Sequence, residues 1–158
     1  MQPNLDIINK NNLTQEEKEQ LLELWNVEYP SKFSFENLTD FENYLQKLAN
    51  INSFLLQNSQ NMILGWAATF DRDNERWFII TLNKTIQGQG WGRKMIDTLK
   101  QNELALSGWV VDHNNDKKAD GSMYMSPIQF YKKCGFQILS QQRLEKDQIS
   151  AVKIKWIR

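Results

Sequence analysis

The chain has 158 residues, with 19 Lys plus Arg set against 19 Asp plus Glu, a length that suits one domain over 1–158 with its own hydrophobic core. Zero formal net charge argues against broad nucleic-acid binding, which needs a basic face to neutralise phosphates. One cysteine, Cys134, excludes an internal disulfide and a multi-thiolate zinc site, so no metal is expected, and it fits a reducing cytoplasm.

The opening "MQPNLDIINKNN" has no apolar run, so a signal peptide is not expected, and no stretch is apolar enough for long enough to span a bilayer. "LTQEEKEQLLELWNVEYP" predicts a helix with a capping box. Thr14 and Glu17 have the reciprocal spacing, Leu21, Leu22, Leu24 and Trp25 supply the apolar stripe, and Pro30 helps end it. "TDFENYLQKLAN" repeats that spacing at Thr39 and Glu42, with Phe41, Tyr44, Leu45 and Leu48 at helical intervals. "SFLLQNS" and "MILGWAATFD" read as a hairpin, "RDNE" as a turn and "RWFIITLN" as a third strand. "RKMIDTLKQNELA" is helical and "GWVVD" is a short buried strand. "HNNDKKADGS" is a polar loop. "SPIQFYKKCGF" is a short helix with Ser126 as N-cap, Pro127 at its first position and Gly135 as its stop. "FQILSQQRLEK" and "ISAVKIKWIR" close the chain as paired strands. The order predicts an α/β (α+β) domain. Its early strands should pair antiparallel, and the strand–helix–strand unit at 77–112 should be parallel or splayed.

The stretch "TIQGQGWGRKM" (85–95) holds three of the seven glycines. It follows a strand and opens a helix, a position that presents unpaired N–H groups and the positive end of the helix dipole to an anion. Glycines there let the backbone come close, and Arg93 and Lys94 add charge. A P-loop needs GxxxxGK[ST], and a dinucleotide fingerprint needs GxGxxG; neither spacing is met.

The spacing that does fit is Gln87-x-x-Gly90-x-Gly92, which resembles the (Arg/Gln)-x-x-Gly-x-(Gly/Ala) acyl-CoA signature of the GNAT superfamily of N-acetyltransferases. The strand "FIITL" ends a few residues upstream, as that family's fourth strand does. "FYKKCGF" (130–136) is similar to the family's FYxKxGF segment. The resemblance implies a GNAT-like mixed, mostly antiparallel sheet of six to seven strands, with splayed fourth and fifth strands and flanking helices. It implies acetyl-CoA as cofactor, its pyrophosphate on the backbone of Gly88 to Arg93 (Gly88, Gln89, Gly90, Trp91, Gly92, Arg93), with Gln87 and Lys94 beside it. Pantetheine would pair with the backbone at Leu82 and Asn83. Tyr131 would protonate the departing thiolate, a role suited to a phenol with a pKa near ~10; otherwise it is a packed aromatic.

Many members carry an Asn about seven residues before the Tyr; here that position is Tyr124. The long loop "DHNNDKKADGSMYMSP" is a candidate substrate lid. Asp112, Asp120 and Tyr124 in it are candidates for binding an acceptor amine. His113, the only histidine, is a candidate base by its pKa near ~6.5, set against a solvated loop histidine. Glu75 reads as a hairpin-turn charge, and Cys134 as a packing residue. Trp91 either covers the cofactor or starts the helix. The expectation is an N-acetyltransferase in which a small-molecule or peptide amine attacks the thioester directly, in a cytoplasmic protein without nucleic-acid or membrane partners. A homodimer stays open. The alternatives are a non-catalytic acyl-CoA-binding or sensing module, and a structural partner-binding domain. Acidic loop residues hint at a cationic acceptor.

Overall fold

The capping box at Thr14 forms as its spacing dictates. Thr14 Oγ1 accepts from the Glu17 N–H at 3.1 Å, and the Glu17 carboxylate accepts from the Thr14 N–H at 2.8 Å. It opens α1 (Gln15–Glu28), whose buried stripe is Leu21, Leu24, Trp25 and Glu28. The structure is a computed structural model that describes residues 4–158, so the first three residues of the opening stretch lie outside the described residues. The second helix, α2 (Leu38–Gln46), starts earlier than the Thr39 spacing suggests. Asn37 is its N-cap, accepting from the Asp40 N–H at 2.9 Å, because asparagine is at least as good a cap as threonine and comes first.

Seven strands form one sheet: β1 (Leu5–Asn9), β2 (Ala49–Asn58), β3 (Ile63–Arg72), β4 (Glu75–Leu82), β5 (Ala105–Val110), β6 (Gln137–Lys146) and β7 (Ile149–Ile157). Their order is β1-β2-β3-β4-β5-β7-β6, antiparallel at every step except β4–β5. β1 is the strand that element-by-element reading passes over. "LDIIN" is five residues between polar neighbours, and it is fixed by pairing such as Ile8 with Leu55 of β2 and by the burial of Leu5. Asp73 and Asn74 turn β3 into β4 with φ of 52° and 60°, the left-handed pair that tight hairpins require.

Pleating sorts the sheet's two faces. Leu55 and Trp66 face α1 and α2, and pack with Leu21, Trp25 and Phe41. Their chain neighbours Phe54 and Ala67 face the other way, into a core with Phe78 and Ile154. That second face is covered by α3 (Trp91–Lys100) through Met95, Ile96 and Leu99, and by α4 (Ile128–Lys133) through Tyr131. α4 begins two residues after the expected cap. Ser126 still serves the turn, its Oγ accepting from the Ile128 N–H at 3.3 Å and donating to the Val111 carbonyl. Gly135, at φ 89°, ends α4 as expected, with the Phe136 N–H returning to the Tyr131 carbonyl at 3.0 Å.

β4 and β5 share one residue pair, Trp77 with Ser107. Glu75 fastens this end: it takes Lys153 at 2.6 Å and Lys155 at 2.7 Å from β7, and the Ser107 hydroxyl at 3.0 Å from β5. Those contacts hold its carboxyl down at about 2. Glu75 is thus a cross-strand tie rather than the plain turn charge that its sequence position suggests. Past Trp77 the two strands part.

Candidate active site

The gap between β4 and β5 has a definite hydrogen-bonding face. The Asn83 N–H donates to the Leu64 carbonyl at 2.8 Å, so Asn83 looks toward β3. By alternation along an antiparallel pair, Thr81 does too, while Ile80 and Leu82 turn their N–H and C=O groups to the gap. Two contacts agree with this assignment. The Ile80 carbonyl accepts from the Tyr29 hydroxyl at 2.7 Å, and the Leu82 carbonyl accepts from Gln87 Nε2 at 2.9 Å. The N–H groups of Ile80 and Leu82 therefore line the gap without a partner strand. Asn83 does not join them. Its N–H is spent on β3 and its carbonyl on the Ile86 N–H, which corrects the expectation that its backbone would pair with a ligand.

A cavity of about 790 Å³ fills the gap. At one end lies the glycine turn. Gly88 and Gly90 have φ of 77° and 89°, and a Cβ added to either would meet nothing within 4 Å. Both glycines therefore answer to backbone conformation and to open space in front of the turn. Gly90 is the N-cap of α3, which has no side-chain cap and no acidic residue in its first turn. The early N–H groups of that helix are left for an anion. Gly92 has a different duty: a Cβ there would come within 3.0 Å of the Phe130 ring, so it seats α3 against α4.

The side chains of the turn are largely engaged in holding it. Gln89 bonds the Thr85 carbonyl at 3.1 Å, and Arg93 bonds the Lys133 carbonyl at 3.1 Å. The Lys94 ammonium stands 4.3 Å over the Trp91 ring, so Trp91 starts α3 and carries Lys94. Gln87, Gly88, Gly90, Gly92 and Arg93 line the cavity; Gln89, Trp91 and Lys94 do not.

Tyr131 lines the same cavity from α4. It is buried among Phe78, Phe130 and Phe136, with ring centroids 5.7, 5.1 and 5.7 Å away. Burial, with smaller contributions from Tyr124 and Cys134, pushes its phenol well above 10. The proton is thus held at neutral pH, and the hydroxyl makes no hydrogen bond among the described residues. Tyr124 also lines the cavity, stacked on Tyr29 at 6.4 Å, and burial raises it to about 12. Cys134 is buried at the wall and its thiol is raised by burial, which disfavours thiolate chemistry.

The long loop is a built structure. Lys117 bridges to Met123, and the Ser31 N–H holds the Lys117 carbonyl at 2.8 Å. Its acidic residues and histidine, however, are not part of the cavity lining. Asp112 is gripped by both Arg143 nitrogens at 2.9 and 3.0 Å. Asp120 accepts from the Ser122 backbone and hydroxyl. Both carboxyls are held below their ordinary range by these bonds. His113 Nδ1 accepts from the Asn115 N–H at 3.1 Å, and its Nε2 lies 3.9 Å from Asp116. None of the three lines the cavity.

Instead, the loop delivers Lys118, Met123, Tyr124 and Met125 to the cavity. Lys118 pairs at 3.0 Å with Glu28, a buried carboxylate at the end of α1 that also accepts from the Lys84 N–H at 2.9 Å. Reading for motifs missed Glu28. A signal was present: Leu21, Leu24, Trp25 and Glu28 are one helical stripe, and a charged residue on an apolar stripe is out of place.

The family profile of the acetyltransferase (GNAT) domain matches residues 50–138, and the chain belongs to that family, whose cofactor is acetyl-CoA. No curated protein matches it in sequence. Among solved structures, it is similar to an aminoglycoside 6'-N-acetyltransferase complexed with coenzyme A (TM-score 0.72, 11% identity, covering 96% of each chain). It is also similar to a GNAT-family acetyltransferase from Staphylococcus aureus (TM-score 0.68, 17% identity, 98% of this chain and 99% of that one). A spermidine N-acetyltransferase from Vibrio cholerae gives a TM-score of 0.65 at 14% identity, over 97% and 93%. At such identities these likenesses speak for the fold. Among the described residues no helix is long and apolar enough to cross a membrane.

Proposed function

We propose that the chain acts as one catalytic domain, an acetyl-CoA-dependent N-acetyltransferase acting on a primary amine by direct attack in a ternary complex. One observation carries this reading: the glycine turn, the open edge of β4 and the Tyr131 hydroxyl share one cavity. The open space before Gly88 and Gly90, and the uncapped start of α3, fit a pyrophosphate. Acetyl-CoA, when bound, supplies the activated acyl thioester.

The protein's own groups divide the remaining work. Backbone N–H groups from Gly88 to Arg93 would hold the pyrophosphate. The N–H groups of Ile80 and Leu82, turned to the gap, would align pantetheine and polarise the acyl carbonyl. Tyr131, kept protonated by its burial, would give its proton to the departing sulfur and take up the one shed by an amine that attacks in its neutral form, so that the transfer balances. The walls of the gap bring the two reactants together, which supplies much of the rate. His113 is assigned no part. Calorimetric titration with CoA, followed by turnover across an amine panel, tests the proposal. Saturable binding and turnover support it. Binding without turnover would assign the cavity to acyl-CoA sensing, and no binding would remove the enzyme and the sensor alike.

A further inference from the structure

The two ends of the cavity differ in chemistry. The glycine-turn end carries the cations Arg93 and Lys133. The other end is walled by Tyr29, Phe33, Tyr124, Met123 and Met125, and contains one charged pair, Glu28 with Lys118. The Glu28 side chain is 4% exposed, and both its oxygens are engaged, by Lys118 Nζ and by the Lys84 N–H. Among the described residues, Glu28 is the carboxylate of the cavity lining, and it is compensated. The nearby loop aspartates lie outside the lining: Asp112 is held by Arg143, Asp120 by Ser122, and Asp116 pairs with Lys32 through one oxygen at 2.7 Å, its other oxygen buried without a hydrogen-bond partner among the described residues.

This balance bears on what can enter. Each ammonium taken from water without a counter-charge carries a heavy desolvation penalty. A single amine escapes most of it, by entering neutral or by resting against the aromatic faces of Tyr29 and Tyr124. A second or third ammonium on the same molecule has no such place. At the rim, Met123 and Met125 are 56% and 63% exposed, adaptable apolar surface in a position that a charged acceptor would leave stranded.

Resting on the acetyltransferase reading above, we infer that the acceptor is a monoamine carried on an aromatic or apolar body, and that multiply cationic amines are poor acceptors. The acidic-loop hint of a cationic acceptor is thereby reversed.

The test uses the full chain. CoA titration comes first, because its failure removes the acetyltransferase reading and not merely the choice of acceptor. With acetyl-CoA as the acyl donor at saturation, kcat/KM is then compared for 2-phenylethylamine, spermidine and a polyamino sugar. Phenylethylamine should lead by about tenfold or more, the worth of roughly one unpaired charge at a partly solvated rim. Spermidine or the amino sugar matching it, or phenylethylamine failing to react, would overturn the inference. Met125→Glu places a counter-charge on the rim and should narrow the phenylethylamine-to-spermidine ratio about threefold, an exposed ion pair's worth. A ratio that does not move would show that rim chemistry does not set the preference.

Discussion

The two ends of β4 are built for opposite purposes. At its start, Glu75 ties three strands, Trp77 pairs with Ser107, and Gly108 allows the Phe78 ring to lie where a Cβ would be only 2.7 Å away. At its finish, Ile80 and Leu82 leave their N–H groups turned to a cavity. The strand is the same; what differs is whether β5 is held against it. Closing one end with ion pairs and aromatic packing is what allows the other to stay open, since an unpaired strand edge otherwise invites pairing. Substitutions at the closed end should therefore cost stability, and substitutions around the open end should cost function.

The largest expected effect is at the open end. Tyr131→Phe should lower kcat by about 100-fold, as loss of a general acid does, while CoA affinity holds; unchanged turnover would remove Tyr131 from the chemistry. Next is Gly108→Ala, which overpacks the Phe78 contact. Chemical denaturation should show a loss of about 2 kcal/mol, and CoA titration of the folded fraction should show no change. Gly90→Ala mirrors it. The left-handed φ costs about 1 kcal/mol, and CoA affinity should fall about tenfold for the loss of one phosphate contact. If affinity holds while stability falls, the turn is a plain helix entry.

Glu75→Gln gives the smallest change in function, since its cost falls on stability alone. The native carboxyl is held at about 2 by Lys153 and Lys155 first and by Ser107 after them, against an ordinary 4.5. Its charged form is favoured in the fold, so the stabilisation is complete above pH 4.5 and is lost as pH falls from there toward 2. After solvent screening it is worth about 1–2 kcal/mol. The variant should lose that much at neutral pH, and its stability should decline less between pH 4.5 and 2. A decline as steep as the native protein's would show that Glu75 does not tie the strands.

The same contrast explains what was legible in the sequence. Features made by neighbours along the chain could be read: the Thr14–Glu17 cap, the glycine turn, the stop at Gly135, and the parallel, splayed meeting of the strands in 77–112. Features made across the fold could not. Glu28 meets Lys118, Tyr29 reaches Ile80, and Glu75 finds two lysines on the last strand, all from positions that look ordinary along the chain. Asp112 and Asp120 were misleading for the same reason. A loop aspartate looks available until Arg143 or Ser122 is seen holding it. Asn83 shows a subtler failure, because one residue of pleat decides whether a backbone group faces the ligand or the next strand.

Calorimetric titration of CoA into the native chain, Gly90→Ala and Glu75→Gln tests the central claim most directly. Saturable binding by the native chain, weakened about tenfold by Gly90→Ala and untouched by Glu75→Gln, is the predicted result. No saturable binding, or equal weakening by both substitutions, would contradict a cofactor site at the open end of β4.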